Sequence, residues 1–132
     1  MVKQFTHGKK GKILIWDFCC KDTVAPSYVE QSSKAAGKVA EAGENRKYQT
    51  YANLMNDYHF VPIVVETFGT FGTTGLNLLK EIGNNIESET GEKRATSYLL
   101  QNISMAIQRG NAHSVLGTSL DSHNYLEEVF FL

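Results

Sequence analysis

Hydrophobic positions along the chain follow a strand pattern in two short runs and a helical pattern elsewhere. The runs 13–20, ILIWDFCC, and 60–67, FVPIVVET, are short and almost continuously apolar, which predicts two buried strands. Pro62 indicates that the second is an edge strand or that a strand begins there. Between the two runs, residues 27–56 are rich in Ala, Glu, Lys and Gln and contain no proline, which predicts one long helix. Strand, helix and strand in this order predict a βαβ crossover.

The remaining segments predict a hairpin before the crossover and two helices after it. Residues 1–12 alternate briefly and then turn through glycines and lysines, which predicts a hairpin into the first buried strand. The glycine-rich loop 69–75, GTFGTTG, leads into a predicted helix at 73–87, and a further helix is predicted at 92–116. Residues 119–132 form a tail without a firm pattern.

Length and charge point to one domain without a global electrostatic preference. A chain of 132 residues that is 42% hydrophobic is long enough for one cored domain, here assigned to residues 1–118. The net charge of −1 gives no general attraction to nucleic acid, membranes or acidic partners.

The cysteines and the lengths of the apolar runs bear on location. Cys19 and Cys20 are adjacent and cannot form an ordinary disulfide on a strand. No apolar run approaches the roughly 18 residues of a membrane helix. We therefore expect a nuclear or cytoplasmic protein that does not enter a membrane.

Asp17 is the anomaly of the first buried strand, because an ionised carboxylate is costly to bury without a partner. Projected on the long helix, Lys47 lies near the centre of a stripe that faces the sheet. This stripe consists of Ala36, Ala40, Gly43, Lys47, Tyr51 and Leu54. A crossover helix can bring the lysine to the aspartate. This arrangement has two interpretations. In the first, the role is structural: the two residues form an ion pair, or Lys47 reaches solvent while Asp17 caps a neighbouring turn. In the second, they form the centre of a metal-dependent nuclease.

Four segments together resemble a known family. They are ILIWDFCCKDTVAPSYV, AEAGENRKYQTYANL, FVPIVVETFGTFGTTGLNLLKEIG and TGEKRATSYLLQNISMAIQRGNAHSVLGT. Over residues 11–118 the chain looks like the C-terminal region of animal open reading frames derived from retroelements. That region is similar to the restriction-endonuclease-like domain of site-specific non-LTR retrotransposons, in the PD-(D/E)XK superfamily. The resemblance implies an α/β fold with a restriction-endonuclease-like core: a small mixed sheet, a crossover helix and two C-terminal helices.

The resemblance also implies site residues and a cofactor. Asp17 matches the second acid of the superfamily, which holds Mg²⁺ or Mn²⁺. Lys47 and Tyr51 match the first lysine and the tyrosine of a helical Lys-x-x-Lys-Tyr pattern of the retroelement branch. If the chain is an active hydrolase, Asp17 is a metal ligand and Lys47 stabilises charge. The auxiliary carboxylate would be Glu66, as a second metal ligand, or Glu44.

Three departures from the family pattern bear on the expected catalytic centre. Cys19 stands where the ordinary motif has lysine, which the retroelement branch with its lysine on the helix tolerates. Thr50 stands where the second helical lysine is expected, which reduces the positive charge. Residues 1–16 contain no Asp or Glu, so the first metal-binding acid is absent. Protein-bound magnesium usually needs one or two carboxylates as well as substrate phosphates. We therefore expect an N-terminally truncated domain with impaired DNA cleavage; the alternative is a silent retroelement remnant that binds nucleic acid or serves as a packing module.

Several polar side chains are candidates for contact with a DNA backbone. The lysines near the hairpin and one arginine on the helix supply positive charge, and the start of the helix after the GTFGTTG loop offers backbone amides. The candidates are Lys9, Lys10, Lys12, Arg46 and Thr73. A solvated loop and helix capping by threonine are the alternatives. The expected partners are DNA and the reverse transcriptase region of the parent element. The histidines and cysteines show no zinc spacing.

Overall fold

The computed structural model describes residues 2–5 and 11–117, which form a small mixed sheet with helices on both faces. The predicted turn around Gly8, the lysines Lys9 and Lys10, and the tail 119–132 lie outside these residues. In chain order the elements are β1 Val2–Phe5, β2 Leu14–Lys21, α1 Pro26–Ser32, α2 Lys38–Thr50, a 3₁₀ helix Ala52–Asn56, β3 His59–Glu66, α3 Thr73–Thr90 and α4 Ala95–Gly117. The predicted mixed α/β class is confirmed.

The sheet has the order β1-β2-β3, with β2 in the centre of the described strands. Strand β1 is antiparallel to β2, as expected for a hairpin, and β3 is parallel to β2, as expected for a crossover. Asp17 lies opposite Val2 on one side and Pro62 on the other. Pro62 is tolerated because β3 is an edge strand of the described sheet, where a missing N–H does not interrupt a ladder.

The two faces of the sheet pack against different helices. Leu14 forms a buried cluster with Val61, Ile63 and Leu78, which places α3 on this face. The opposite face, which carries Asp17, packs against α2. A Cβ atom added at Gly43 of α2 would lie 2.9 Å from the Val64 side chain, so a glycine permits this close approach. Asp17 is therefore covered by the crossover helix.

The single long helix predicted for residues 27–56 is wrong. Helix α1 ends at Ser32, and α2 begins only after Gly37, whose φ of 86° is a left-handed conformation that favours glycine. Near the end of α1, the Ser33 hydroxyl donates to the carbonyl oxygen of Glu30 at 2.9 Å, a local bond that competes with continued helix. Ala36 precedes α2 and is exposed, so its predicted place on the buried stripe is also wrong.

The two predicted C-terminal helices are present with shifted ends. Helix α3 begins at Thr73 as predicted, extends to Thr90 and is followed by Gly91 with a φ of 75°, a common way for a helix to end. Helix α4 begins at Ala95. Among the helices of residues 11–117, none has the length and apolar character needed to cross a membrane.

Candidate functional site

Asp17 and Lys47 meet beneath the crossover helix, as the sequence predicts. The Lys47 Nζ donates a hydrogen bond of 2.6 Å to Oδ2 of Asp17. The exposed fraction of the side chain is 7% for Asp17 and 26% for Lys47. The aspartate is thus buried, whereas the lysine reaches it from the edge of α2. Lys47 follows the buried residue Ala40 by about two helical turns and so lies on the same stripe.

The aspartate favours the protonated form of Lys47. Its hydrogen bond to the Asp17 carboxylate raises the pKa of Lys47 above the ordinary value of 10.5, and the nearby charge of Asp17 acts in the same direction. Burial opposes this shift but does not overcome it. At neutral pH the group is therefore an ammonium, which stabilises negative charge and cannot accept a proton as a general base.

Tyr51, the residue that directly follows α2, completes this group. The Lys47 Nζ lies 5.8 Å from the centroid of the Tyr51 ring, within the range of a cation–π contact. The same ring packs against Phe60 of β3, with centroids 5.0 Å apart, and Tyr48 meets Phe60 edge-on at 6.0 Å. The structure therefore brings three predicted site residues together: Asp17, Lys47 and Tyr51.

Glu66 lies at the end of β3, where its carboxylate caps helix α2. Its Oε1 accepts hydrogen bonds from the backbone N–H groups of Val39 at 3.1 Å and Ala40 at 3.2 Å. The residue is 6% exposed. First-turn amides have no partner within the helix, and the positive end of the helix dipole favours an anion there. Glu66 therefore binds backbone amides in the described structure.

Glu44 has the same role toward helix α3. Its carboxylate accepts hydrogen bonds from the N–H of Thr74 at 3.1 Å and of Gly75 at 2.8 Å, and the residue is 4% exposed. Gly72 is the N-cap residue, and no local side chain caps this helix, so the expected capping by threonine is wrong. A Cβ atom at Gly72 would overlap the Glu44 carboxyl group. Two amides considered for a DNA phosphate are thus occupied by a glutamate.

Across residues 11–117, no group of three or more His, Cys, Asp or Glu side chains converges as metal ligands would. Glu44 and Glu66 are both bonded to helix N-termini. The roles of these two glutamates as auxiliary metal ligands stay predictions that this conformation does not favour.

The candidate DNA contacts are dispersed, and one has an internal partner. The Nζ of Lys12 donates to the carbonyl oxygens of Met55 at 3.1 Å and Asn56 at 2.5 Å, at the end of the 3₁₀ helix. Arg46 is exposed on α2. Thr73 is exposed too, and its hydroxyl lies 3.5 Å from a carboxylate oxygen of Glu41. These DNA contacts stay predictions.

Two contacts around the site were not predicted from the sequence. The first is the bond between the Glu44 carboxylate and the start of α3. Glu44 lies four residues after Ala40 and three before Lys47, so helical spacing does indicate that it is buried. The bond from Asn111 Nδ2 to the carbonyl oxygen of Thr67, at 2.7 Å, fastens α4 to the loop after β3. No local pattern announces that contact, because the partners are 44 residues apart.

Comparisons with protein-family models, curated proteins and solved structures give no match to this chain. The assignment of a function therefore depends on the residues of the site and on the sequence resemblance described above.

Proposed function

We propose that the chain is a restriction-endonuclease-like domain of the retroelement type, derived from a metal-dependent DNA endonuclease and impaired in cleavage. The observation that carries the proposal is the 2.6 Å hydrogen bond between Lys47 and Asp17, formed beneath the helix that connects two parallel strands. A lysine on this helix, rather than on the strand, is what the resemblance to the retroelement branch implies.

The chemistry of the pair agrees with such a centre. Lys47 carries a positive charge at neutral pH, is partly exposed and lies beside a carboxylate. An ammonium in this position can stabilise the charge that develops on a phosphate oxygen during hydrolysis. The Tyr51 ring lies beside it within the range of a cation–π contact.

The impairment follows from the count of available carboxylates. Asp17 is paired with Lys47, whereas Glu44 and Glu66 are bonded to helix N-termini. Magnesium in proteins is usually held by one or two carboxylates together with substrate phosphates, and the one carboxylate offered here is already paired with a lysine. When bound, the metal would activate a water molecule and polarise the phosphate, and Asp17 is the residue that would hold it in this chain.

A nicking assay with a restored acid tests the proposal. Val2 is the register partner of Asp17 in the antiparallel pair β1–β2, and directly opposite positions in such a pair are neighbours. Supercoiled plasmid is incubated with Mg²⁺ or Mn²⁺ and either the unmodified protein or the Val2→Asp variant. We expect no metal-dependent nicking by the unmodified protein and nicking by the variant.

The control adds Asp17→Asn to Val2→Asp, which should abolish the restored nicking. Nicking that survives Asp17→Asn would reject Asp17 as a ligand. Folded Val2→Asp protein without metal-dependent nicking would contradict the proposed nuclease ancestry of the site.

A silent module is the second candidate function, and the use of both glutamates as helix caps favours it. In this case the chain binds nucleic acid or packs against the reverse transcriptase region of a parent element without cleaving DNA. Electrophoretic mobility shifts over a range of salt concentrations, with Arg46→Ala as the variant, distinguish the two forms of the module. Phosphate contacts make DNA binding salt-dependent. An affinity for DNA that changes neither with salt concentration nor with Arg46→Ala would therefore argue against DNA as the partner.

A further inference from the structure

We infer that Glu66 and Glu44 are positioning residues that clamp helix α2 and thereby hold Lys47 against Asp17. Neither glutamate touches the pair in the bonds described above. Each instead binds backbone amides at a helix N-terminus, one to fasten α2 to the sheet and the other to fasten α3 to α2.

The Glu66 carboxylate holds the start of α2 on the sheet. One oxygen of its carboxylate accepts from two successive amides, those of Val39 and Ala40. Two bonds to neighbouring residues define both the height of the helix and its rotation about its own axis. Because each residue adds about 100° of rotation and 1.5 Å of rise, a slip by one residue would carry Lys47 off the face that looks at Asp17.

Glu44 holds the middle of the same helix against the start of α3. Its two oxygens accept from Thr74 and Gly75 at the start of α3. Gly72 leaves the space that this carboxylate fills. Glu44 lies three residues before Lys47, so this contact acts within one turn of the pair.

The burial of both carboxylates supports a role in positioning. Glu66 and Glu44 are 6% and 4% exposed, whereas the Glu41 side chain, also near the start of α2, is 48% exposed and lies 3.7 Å from Lys38. Glu41 therefore offers a matched carboxylate that lacks bonds to helix amides among those described.

This inference concerns the formation of the pair and rests on the proposed function only where the pair is called the remainder of a nuclease centre. The experiment below therefore measures the reactivity of Lys47 directly and does not involve DNA. The nicking assay can fail while this experiment succeeds, and this experiment can fail while the nicking assay succeeds.

The experiment measures how fast each lysine of the full chain is acylated by an N-hydroxysuccinimide acetate at pH 8, with peptide mass spectrometry as the readout. A paired and protonated ammonium reacts slowly, because only the free neutral amine is a nucleophile. Lys12, bonded to two carbonyl oxygens, reports general loosening of the fold.

In Glu66→Ala we expect the Lys47 rate to rise about five-fold or more, which corresponds to about 1 kcal/mol of lost pairing. The Lys12 rate should not change. Glu66→Gln keeps an oxygen that accepts from the two amides, so its Lys47 rate should stay within about two-fold of the unmodified protein. Glu41→Ala, the matched control, should do the same.

Folded Glu66→Ala protein with an unchanged Lys47 rate would overturn the inference. Equal increases at Lys47 and Lys12, or an equal increase in Glu41→Ala, would also overturn it. If Glu66→Ala fails to fold, Glu66→Asp carries the same comparison, since its carboxylate is one methylene too short to reach both amides. Gly72→Ala tests the contact between Glu44 and α3, and it should raise the acylation rate of Lys47 without raising that of Lys12.

Discussion

The Asp17–Lys47 pair predicts an asymmetry between two substitutions that remove it. Lys47→Met leaves a carboxylate whose side chain is only 7% exposed, whereas Asp17→Leu leaves an ammonium whose side chain is 26% exposed. A lysine near the edge of a helix can turn its ammonium to water. A buried aspartate on a central strand has no such freedom, so loss of the lysine should cost more.

The magnitudes follow from these exposures. Removal of one partner from a buried ion pair costs about 3–5 kcal/mol. We expect about 3 kcal/mol for Lys47→Met, at the lower end because the lysine is partly solvated. We expect about 1 kcal/mol for Asp17→Leu, where solvent recovers most of the loss. The double variant should cost less than the sum of the two single variants, because the two residues are in direct contact.

Urea unfolding at pH 7, followed by circular dichroism, measures these free energies from the midpoint and slope. Lys38→Met is the matched control, because Lys38 lies on the same helix and pairs with an exposed glutamate at 3.7 Å. It should change the free energy of unfolding by about 0.5 kcal/mol or less. A larger loss for Asp17→Leu than for Lys47→Met, or fully additive effects in the double variant, would refute the reasoning.

Three further predictions concern the same helix. Because the pKa of Lys47 is raised in the folded state, the pair contributes its full stability below the ordinary pKa of 10.5 and loses it as the pH rises through the higher folded-state value. The difference in unfolding free energy between the unmodified protein and Lys47→Met should therefore shrink above pH 10.5. A constant difference would contradict this. Glu66→Ala leaves two buried amides without an acceptor and should cost about 2–4 kcal/mol, against about 0.5 kcal/mol for Glu41→Ala, both by urea unfolding; similar costs would contradict the capping role. Gly72→Ala forces the Glu44 carboxylate from its place and should lower the melting temperature, with a loss of about 1–3 kcal/mol; an unchanged melting temperature would show that the carboxylate has room to move.

The strands and the contact between Asp17 and Lys47 were predictable because the signals are local. The apolar runs of β2 and β3 are short, which favours strands over helices, and the order of the elements implies a crossover that lies over Asp17. Helical spacing then places Lys47 on the inner stripe. The break at Gly37 was not predictable in this way, because a single glycine within a helix-forming composition is often tolerated.

The sequence alone determined that one carboxylate lies in an apolar strand and that one lysine lies on the helix above it. Only the tertiary structure decided which donors the other carboxylates meet. Glu66 and Glu44 accept from amides 26 and 31 residues away in the chain, and no local pattern carries that information. The physical reason is that a carboxylate can coordinate a metal ion, pair with a cationic side chain or accept hydrogen bonds from a helix N-terminus. Packing decides which of these lies within hydrogen-bond distance.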